Sequence, residues 1–299
     1  MKRRDLYFAL FMLLASAAFS ASLLALAKLS YNNDAYSHIV LIPLVSAFLV
    51  YLERRKIFAR VEYCLGGGVV AVIAGIGGFY AGREHFVSPG KIGHLAVMAL
   101  SLVFVWIGGF VCCYGTRALK AAIFPALFLL LMVPIPGLLL NKIIFALQTG
   151  SAETTYALFR LVRVPVLKQG FVFSLPGVSI RIARECSGIR SSVALLIVSL
   201  LAGHFFLRSG WRKLSFSLMI VPVTVIKNAI RIATLALLSA YVNRGFMTGH
   251  LHHQGGIPFS MIAIAMLVPL LWWLQKSESR TRTRLRDTLP AMAKGSAAP

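Results

Sequence analysis

Three groups of polar residues stand out in a chain that otherwise offers little chemistry. The first is Cys186, in Arg184-Glu185-Cys186-Ser187-Gly188, just ahead of a long apolar run. A thiol at a helix N-terminus meets free backbone N–H groups and partial positive charge, and both favour the nucleophilic thiolate. Arg184 and Arg190 add positive potential. The second group is Lys227, Asn228 and Arg231, inside another apolar run. An arginine within a bilayer costs roughly 2.5–3.5 kcal/mol on insertion scales, so it faces the protein interior with a partner or a function. Asn228 precedes Arg231 by three residues, a spacing that puts both on one helix face; Lys227 is left without a role. The third is His250, His252 and His253 in Gly249-His250-Leu251-His252-His253-Gln254-Gly255-Gly256. That spacing matches no zinc pattern, and no carboxylate or cysteine stands nearby. General acid–base work by a histidine is the sharper reading. Each group also has a plain alternative: a packing cysteine, a buried polar pair that fixes helix contacts, and solvated loop histidines.

Taken together, a cysteine, a histidine and an arginine supply a nucleophile, a proton shuttle and a charge stabiliser, the set that acyl transfer needs. Glu185 is the only carboxylate close in sequence to any of them, and its role is open.

The elements that must position these groups read as membrane helices. The chain has 299 residues, 58% of them hydrophobic, and only nine carboxylates. A soluble domain needs far more charged surface. The net charge of +22 lies in short Lys/Arg clusters between apolar runs, which fits membrane topology and contact with lipid rather than nucleic acid. Spanning takes about 20 helical residues, and eight segments qualify, near 6–28, 36–52, 65–82, 93–115, 118–140, 187–207, 214–242 and 257–275. Glycines 66–68, 75, 77 and 78 suit close helix packing in lipid. Pro134-Ile135-Pro136-Gly137 should break or kink the fifth segment.

Residues 141–163 mix apolar and polar positions and read as an amphipathic interfacial helix. Residues 170–184 alternate around Pro176-Gly177 and read as a small β-hairpin. With the N-terminus inside, the cytoplasmic pieces hold 18 Lys or Arg in 53 residues, and the opposite pieces hold nine in 78. This bias puts both termini in the cytoplasm and all three polar groups toward the outer side. The fold class expected is an all-α polytopic membrane protein of about eight transmembrane helices with an interfacial helix and a small outer hairpin. Residues 1–275 form one transmembrane domain, and 276–299 a basic disordered tail with Arg280, Arg282, Arg284 and Arg286. Cys64, Cys112 and Cys113 form no CxxC pair and read as small packing residues.

At Glu185-Cys186-Ser187-Gly188-Ile189, Asn228-Ala229-Ile230-Arg231 and His252-His253-Gln254-Gly255-Gly256 the sequence resembles the exosortase/archaeosortase family of integral-membrane sorting enzymes. Weaker similarity lies in Asp34-Ala35-Tyr36-Ser37-His38 with Leu41-Ile42-Pro43, and in Val133-Pro134-Ile135-Pro136, so the resemblance covers roughly 30–275. It implies that Cys186 is the nucleophile, that Arg231, following Asn228, is the arginine, and that His252, four residues before Gly256, is the histidine. Glu185, Asn228, Arg184, Ser187 and Gly188 take supporting or substrate-binding positions.

The implied activity is that of a cysteine peptidase or transpeptidase with no cofactor and no metal. Its partners are secreted proteins carrying a C-terminal tag, a Pro-Glu-Pro motif followed by a hydrophobic helix and a basic end, which it cleaves and moves to a surface acceptor. The implied place is a bacterial inner membrane with the site on the periplasmic side. Two readings of other classes compete: a non-enzymatic component of exopolysaccharide export, and an anion transporter built around Arg231. The substrate proteins, the acceptor, the choice of Arg231 between oxyanion and tag, and the oligomeric state are left open by the sequence.

Overall fold

A computed structural model describes residues 3–59, 61–85, 92–176, 178–243 and 256–295, with the side chains of 85, 185, 186, 256, 257 and 280–295 outside the description. Apolar periodicity dominates the chain, and the result is almost all helix. The protein is an all-α polytopic membrane protein. Among the described residues six helices are long and apolar enough to cross a membrane, or up to eight if each of two bent pairs is one span. The chain divides into two compact units, Met1–Asn141 and Lys142–Pro299.

In the first unit, α1 (Arg3–Ala18) and α2 (Ser20–Asn32) replace the single span expected at 6–28. They meet at a 73° bend. Neither proline nor glycine marks it; Phe19, at the bend, is buried and sets its ring edge-on to Phe79 at 4.8 Å. A 3-10 turn, Asp34–Tyr36, leads into α3 (Leu41–Leu52), followed by the short α4 (Arg54–Ile57). α5 (Leu65–His85) and α6 (Ile92–Ala121) pack closely through glycine. A Cβ at Gly68 would come within 2.4 Å of the Cys112 Sγ, and one at Gly75 within 2.6 Å of the Ser101 carbonyl oxygen. Gly66 and Gly77 face open space, so only part of the glycine pattern serves packing. Cys112 and Cys113 line a wholly apolar cavity with Tyr7, Phe11 and Val72, in keeping with packing roles.

α7 (Ile123–Phe128) passes into a 3-10 stretch, Leu129–Met132, and the chain then breaks at Pro134-Ile135-Pro136 as the prolines demand. The two stretches of weaker family resemblance meet here: the hydroxyl of Tyr36, a buried residue, donates to the Ile135 carbonyl at 2.9 Å.

α8 (Gly137–Leu161) covers the expected interfacial helix and supplies the second unit from Lys142 onward. Within that unit its buried positions are Leu147, Gln148, Ser151, Ala152, Thr155 and Phe159, a stripe at spacings of three and four. The expected hairpin is present with one strand more. β1 (Leu167–Gln169), β2 (Val172–Leu175) and β3 (Val178–Arg181) form an antiparallel sheet in the order β1-β2-β3, with Leu175 opposite Val178. Phe173, Leu175 and Ile180 of the sheet share one core with Phe159 of α8 and with Ile232, Ala233 and Ala236 further along the chain.

α9 (Ile189–Phe206), α10 (Gly210–Leu218), α11 (Ile220–Tyr241) and α12 (Gly256–Gly295) follow. Leu195, Phe216, Val223 and Leu267, one from each, meet in a second apolar core. The Glu278 carboxylate accepts from the backbone N–H groups of Arg208 and Ser209 at 3.1 and 2.7 Å, which pins α12 to the turn before α10. The helical backbone of α12 is described as far as Gly295.

Candidate active site

The second unit gathers most of the candidate residues around the start of α9 and the middle of α11. Arg184–Ser187 form a 3-10 turn, and Cys186 lies on its backbone three residues ahead of α9. Gly188 caps α9 with φ +77°, a left-handed conformation that an L side chain adopts at a cost of about 1–2 kcal/mol. Space is the second constraint there: a Cβ at Gly188 would lie 3.3 Å from both Cγ and Oδ1 of Asn228. Glycine thus lets the turn rest directly on α11.

The carbonyl of Gly188 is held from the α9 side. It accepts from the Ser192 N–H at 2.9 Å, the first bond of the helix, and from the Ser191 and Ser192 hydroxyls at 2.9 and 2.8 Å. Ser187 is fully buried, and its hydroxyl has no hydrogen-bond partner among the described residues. Arg184 and Arg190 flank the turn and are exposed.

On α11, Asn228 is fully buried and donates from Nδ2 to the Ser151 hydroxyl of α8 at 3.1 Å. One turn along α11, Arg231 is half-buried, about 4.5 Å further along the axis. Lys227 is 2% exposed and donates to the Ser191 hydroxyl at 2.5 Å. Thr155 of α8 donates to the Ser151 carbonyl at 2.7 Å. Gln148 donates to the Ile182 carbonyl at 2.7 Å, which anchors the segment that runs from β3 into the Cys186 turn.

Sequence reading marks Asn228, Gly188 and Ser187 and passes over Gln148, Ser151, Thr155 and Ser191. Their spacing along α8 at 148, 151 and 155 is the signal that could have found three of them, since a buried helix face recurs at three and four. The turn of Cys186 and the helix of Arg231 are brought together through Gly188 and Asn228. The side chains of Glu185 and Cys186, and the whole of His250, His252 and His253, lie outside the described residues. Among the described residues no group of three His, Cys, Asp or Glu side chains could hold a metal ion.

On the same unit, Lys168 of β1 pairs with Glu153 of α8 and stacks over the Tyr156 ring. Arg181 at the end of β3 is exposed. Arg181 thus brings positive charge to the end of β3 that leads into the turn, while the charge of Lys168 is offset by Glu153.

No curated protein and no solved structure gives a significant match to the chain. A family model does: the one described as transmembrane exosortase matches residues 30–269, well over half of the length. Those residues include the turn of Cys186, the whole of α11 and the Tyr36–Ile135 contact, so the chain belongs to the transmembrane exosortase family, a family of membrane sorting enzymes.

Proposed function

We propose that this protein is a membrane-embedded cysteine transpeptidase that cuts a C-terminal sorting tag from secreted proteins and passes them to a surface acceptor. The observation that carries the reading is the seating of Gly188 against Asn228, which joins the turn of Cys186 to the helix of Arg231 in a chain of this family.

In the proposed reaction the Cys186 thiolate attacks the scissile carbonyl carbon, and the C=O electrons move onto oxygen. Arg231 offsets that developing charge, or holds a carboxylate of the tag. Collapse of the tetrahedral intermediate expels the amine of the tag, which takes a proton from His252, and leaves a thioester. The acceptor nucleophile then gives its proton to His252, attacks the thioester and releases the thiolate. Asn228, Ser187 and Gly188 hold the turn, and Arg184 with Arg181 favours an acidic tag. A tag with a Pro-Glu-Pro motif, an apolar helix and a basic end fits a site at a membrane boundary. With both termini cytoplasmic, as the Lys/Arg bias indicates, the site opens on the outer side of a bacterial inner membrane.

The test is cell-free cleavage of a tagged substrate by the full-length protein in lipid. Cys186→Ala and Cys186→Ser are expected to insert normally and to cleave nothing. Cleavage at the wild-type rate by either variant refutes the assignment.

A further inference from the structure

Lys227 is a lysine that neither topology nor the proposed reaction explains. It lies mid-way along α11 and is 2% exposed, although a cation in that position costs several kcal/mol. It donates to a neutral hydroxyl, that of Ser191 on α9. That hydroxyl carries one proton, so while it accepts from Lys227 it donates to the Gly188 carbonyl at 2.9 Å. A hydroxyl that accepts from an ammonium is polarised and becomes a stronger donor in turn. The outcome is an oriented chain, from the Lys227 ammonium to the Ser191 hydroxyl to the Gly188 carbonyl. It crosses from α11 to the peptide that follows the Cys186 turn.

This link is separate from the contact between Gly188 and Asn228. Asn228 limits how closely the turn approaches α11. The lysine chain fixes the direction of the Gly188 carbonyl, and with it the rotation of the preceding peptides. A serine alone would meet the local needs of the carbonyl, since Ser192 already supplies both an N–H and a hydroxyl to it. The buried ammonium is what ties that carbonyl to the helix of Arg231.

We propose that Lys227 is a positioning residue, which acts through Ser191 to set the Gly188 peptide and so aligns the turn of Cys186 with α11. The inference rests on the reading of Cys186 as nucleophile. It predicts a loss in turnover rather than in substrate affinity, because the chain touches the turn and not the approach to it. Arginine is a poor substitute for Lys227: its longer, planar fork needs several acceptors in one plane, whereas a single hydroxyl suits an ammonium.

The test uses the full-length protein in liposomes with Lys227→Met, Ser191→Ala and the double variant. Cleavage of a tagged substrate is read as kcat and KM, and alkylation of Cys186 by iodoacetamide is read site by site by mass spectrometry. Each single variant is expected to lower kcat by about tenfold with KM little changed, and the double variant to be no worse than Lys227→Met, as befits two links of one chain. Alkylation of Cys186 changes in the same direction in both single variants, while that of Cys64, Cys112 and Cys113 stays as in the wild type.

Wild-type kcat in either single variant, or losses that multiply in the double variant, overturns the proposal. Should Lys227→Met fail to insert, Ser191→Ala decides alone: it removes one half-buried hydroxyl, and wild-type kcat with wild-type alkylation overturns the proposal. Should the wild-type protein cleave no tag, the reading of its function fails. Matched changes in Cys186 alkylation then still support the positioning chain, and unaltered alkylation overturns it.

Discussion

Gly188 answers two constraints that can be separated by substitution. Its left-handed φ is shared with Gly170, φ +59°, whose missing Cβ would meet nothing within 4 Å. Gly170→Ala therefore measures backbone strain alone, about 1–2 kcal/mol. Gly188→Ala adds a contact tighter than Asn228 accepts without moving. Cleavage of a tagged substrate should fall by about tenfold or more in Gly188→Ala, since a shift of the turn of about 1 Å is amplified in the rate, and stay near wild type in Gly170→Ala. Equal rates in the two variants would show that contact with Asn228 is irrelevant.

Asn228 itself was legible in the sequence, because an amide in an apolar span has to find a partner. The partner was not: Ser151 lies in a helix of mixed polarity, where many faces look equally fit for burial. Asn228→Ala leaves the Ser151 hydroxyl buried at 0% exposure without that bond. A loss of about 1–3 kcal/mol is expected, read as a drop in the thermal midpoint in detergent. No drop would mean that the bond contributes nothing net. Lys227 was visible for the same reason as Asn228, but its role needed the position of Ser191, which no spacing within α11 reveals.

At the scale of elements, α8, the sheet and α11 stand or fall together. Phe159 of α8 is fully buried and meets Phe173 of β2 edge-on at 5.8 Å. Phe173→Ala should cost about 3–5 kcal/mol, from lost transfer free energy plus the cavity left behind. It should also free the sheet, so that limited proteolysis of the protein in lipid cuts within residues 164–182. Leu138, also on α8 but 84% exposed, gives the control, since Leu138→Ala should leave the digestion pattern unchanged. Cutting in both variants or in neither would mean that this core does not hold the sheet.

The hairpin was readable because residues 170–184 alternate about a Pro-Gly pair. β1 was not, since three residues are too few to establish a period of two. The break at Pro134-Ile135-Pro136 announced itself through proline, while the bend at Phe19 has no such sign in the sequence and lies where Phe19 packs against Phe79. In the first unit, Tyr36→Phe removes only the hydroxyl that reaches the Ile135 carbonyl. It should lower stability by about 1 kcal/mol, and an unchanged melting curve would count against that bond.

At the scale of the whole molecule, charge decides what helices cannot. Length and hydropathy give the spans, but a span reads alike in either direction, and the choice falls to the Lys and Arg residues at its ends. The bias of 18 in 53 residues against nine in 78 is large, although six of the nine lie in the long 141–186 stretch, where the rule weakens. One of those six, Lys168, is paired with Glu153, which lowers its weight as a retention signal.

The opposed positions suited to a test are Leu167, 59% exposed on the sheet, and Trp211, 72% exposed at the start of α10. In a variant whose four native cysteines are replaced by serine, Leu167→Cys should react with a membrane-impermeant maleimide in intact spheroplasts. Trp211→Cys should react only after the membrane is opened. The reverse pattern would put the turn of Cys186 on the cytoplasmic side, where no exported substrate could reach it after translocation. Labelling of both positions in intact cells would contradict a single orientation.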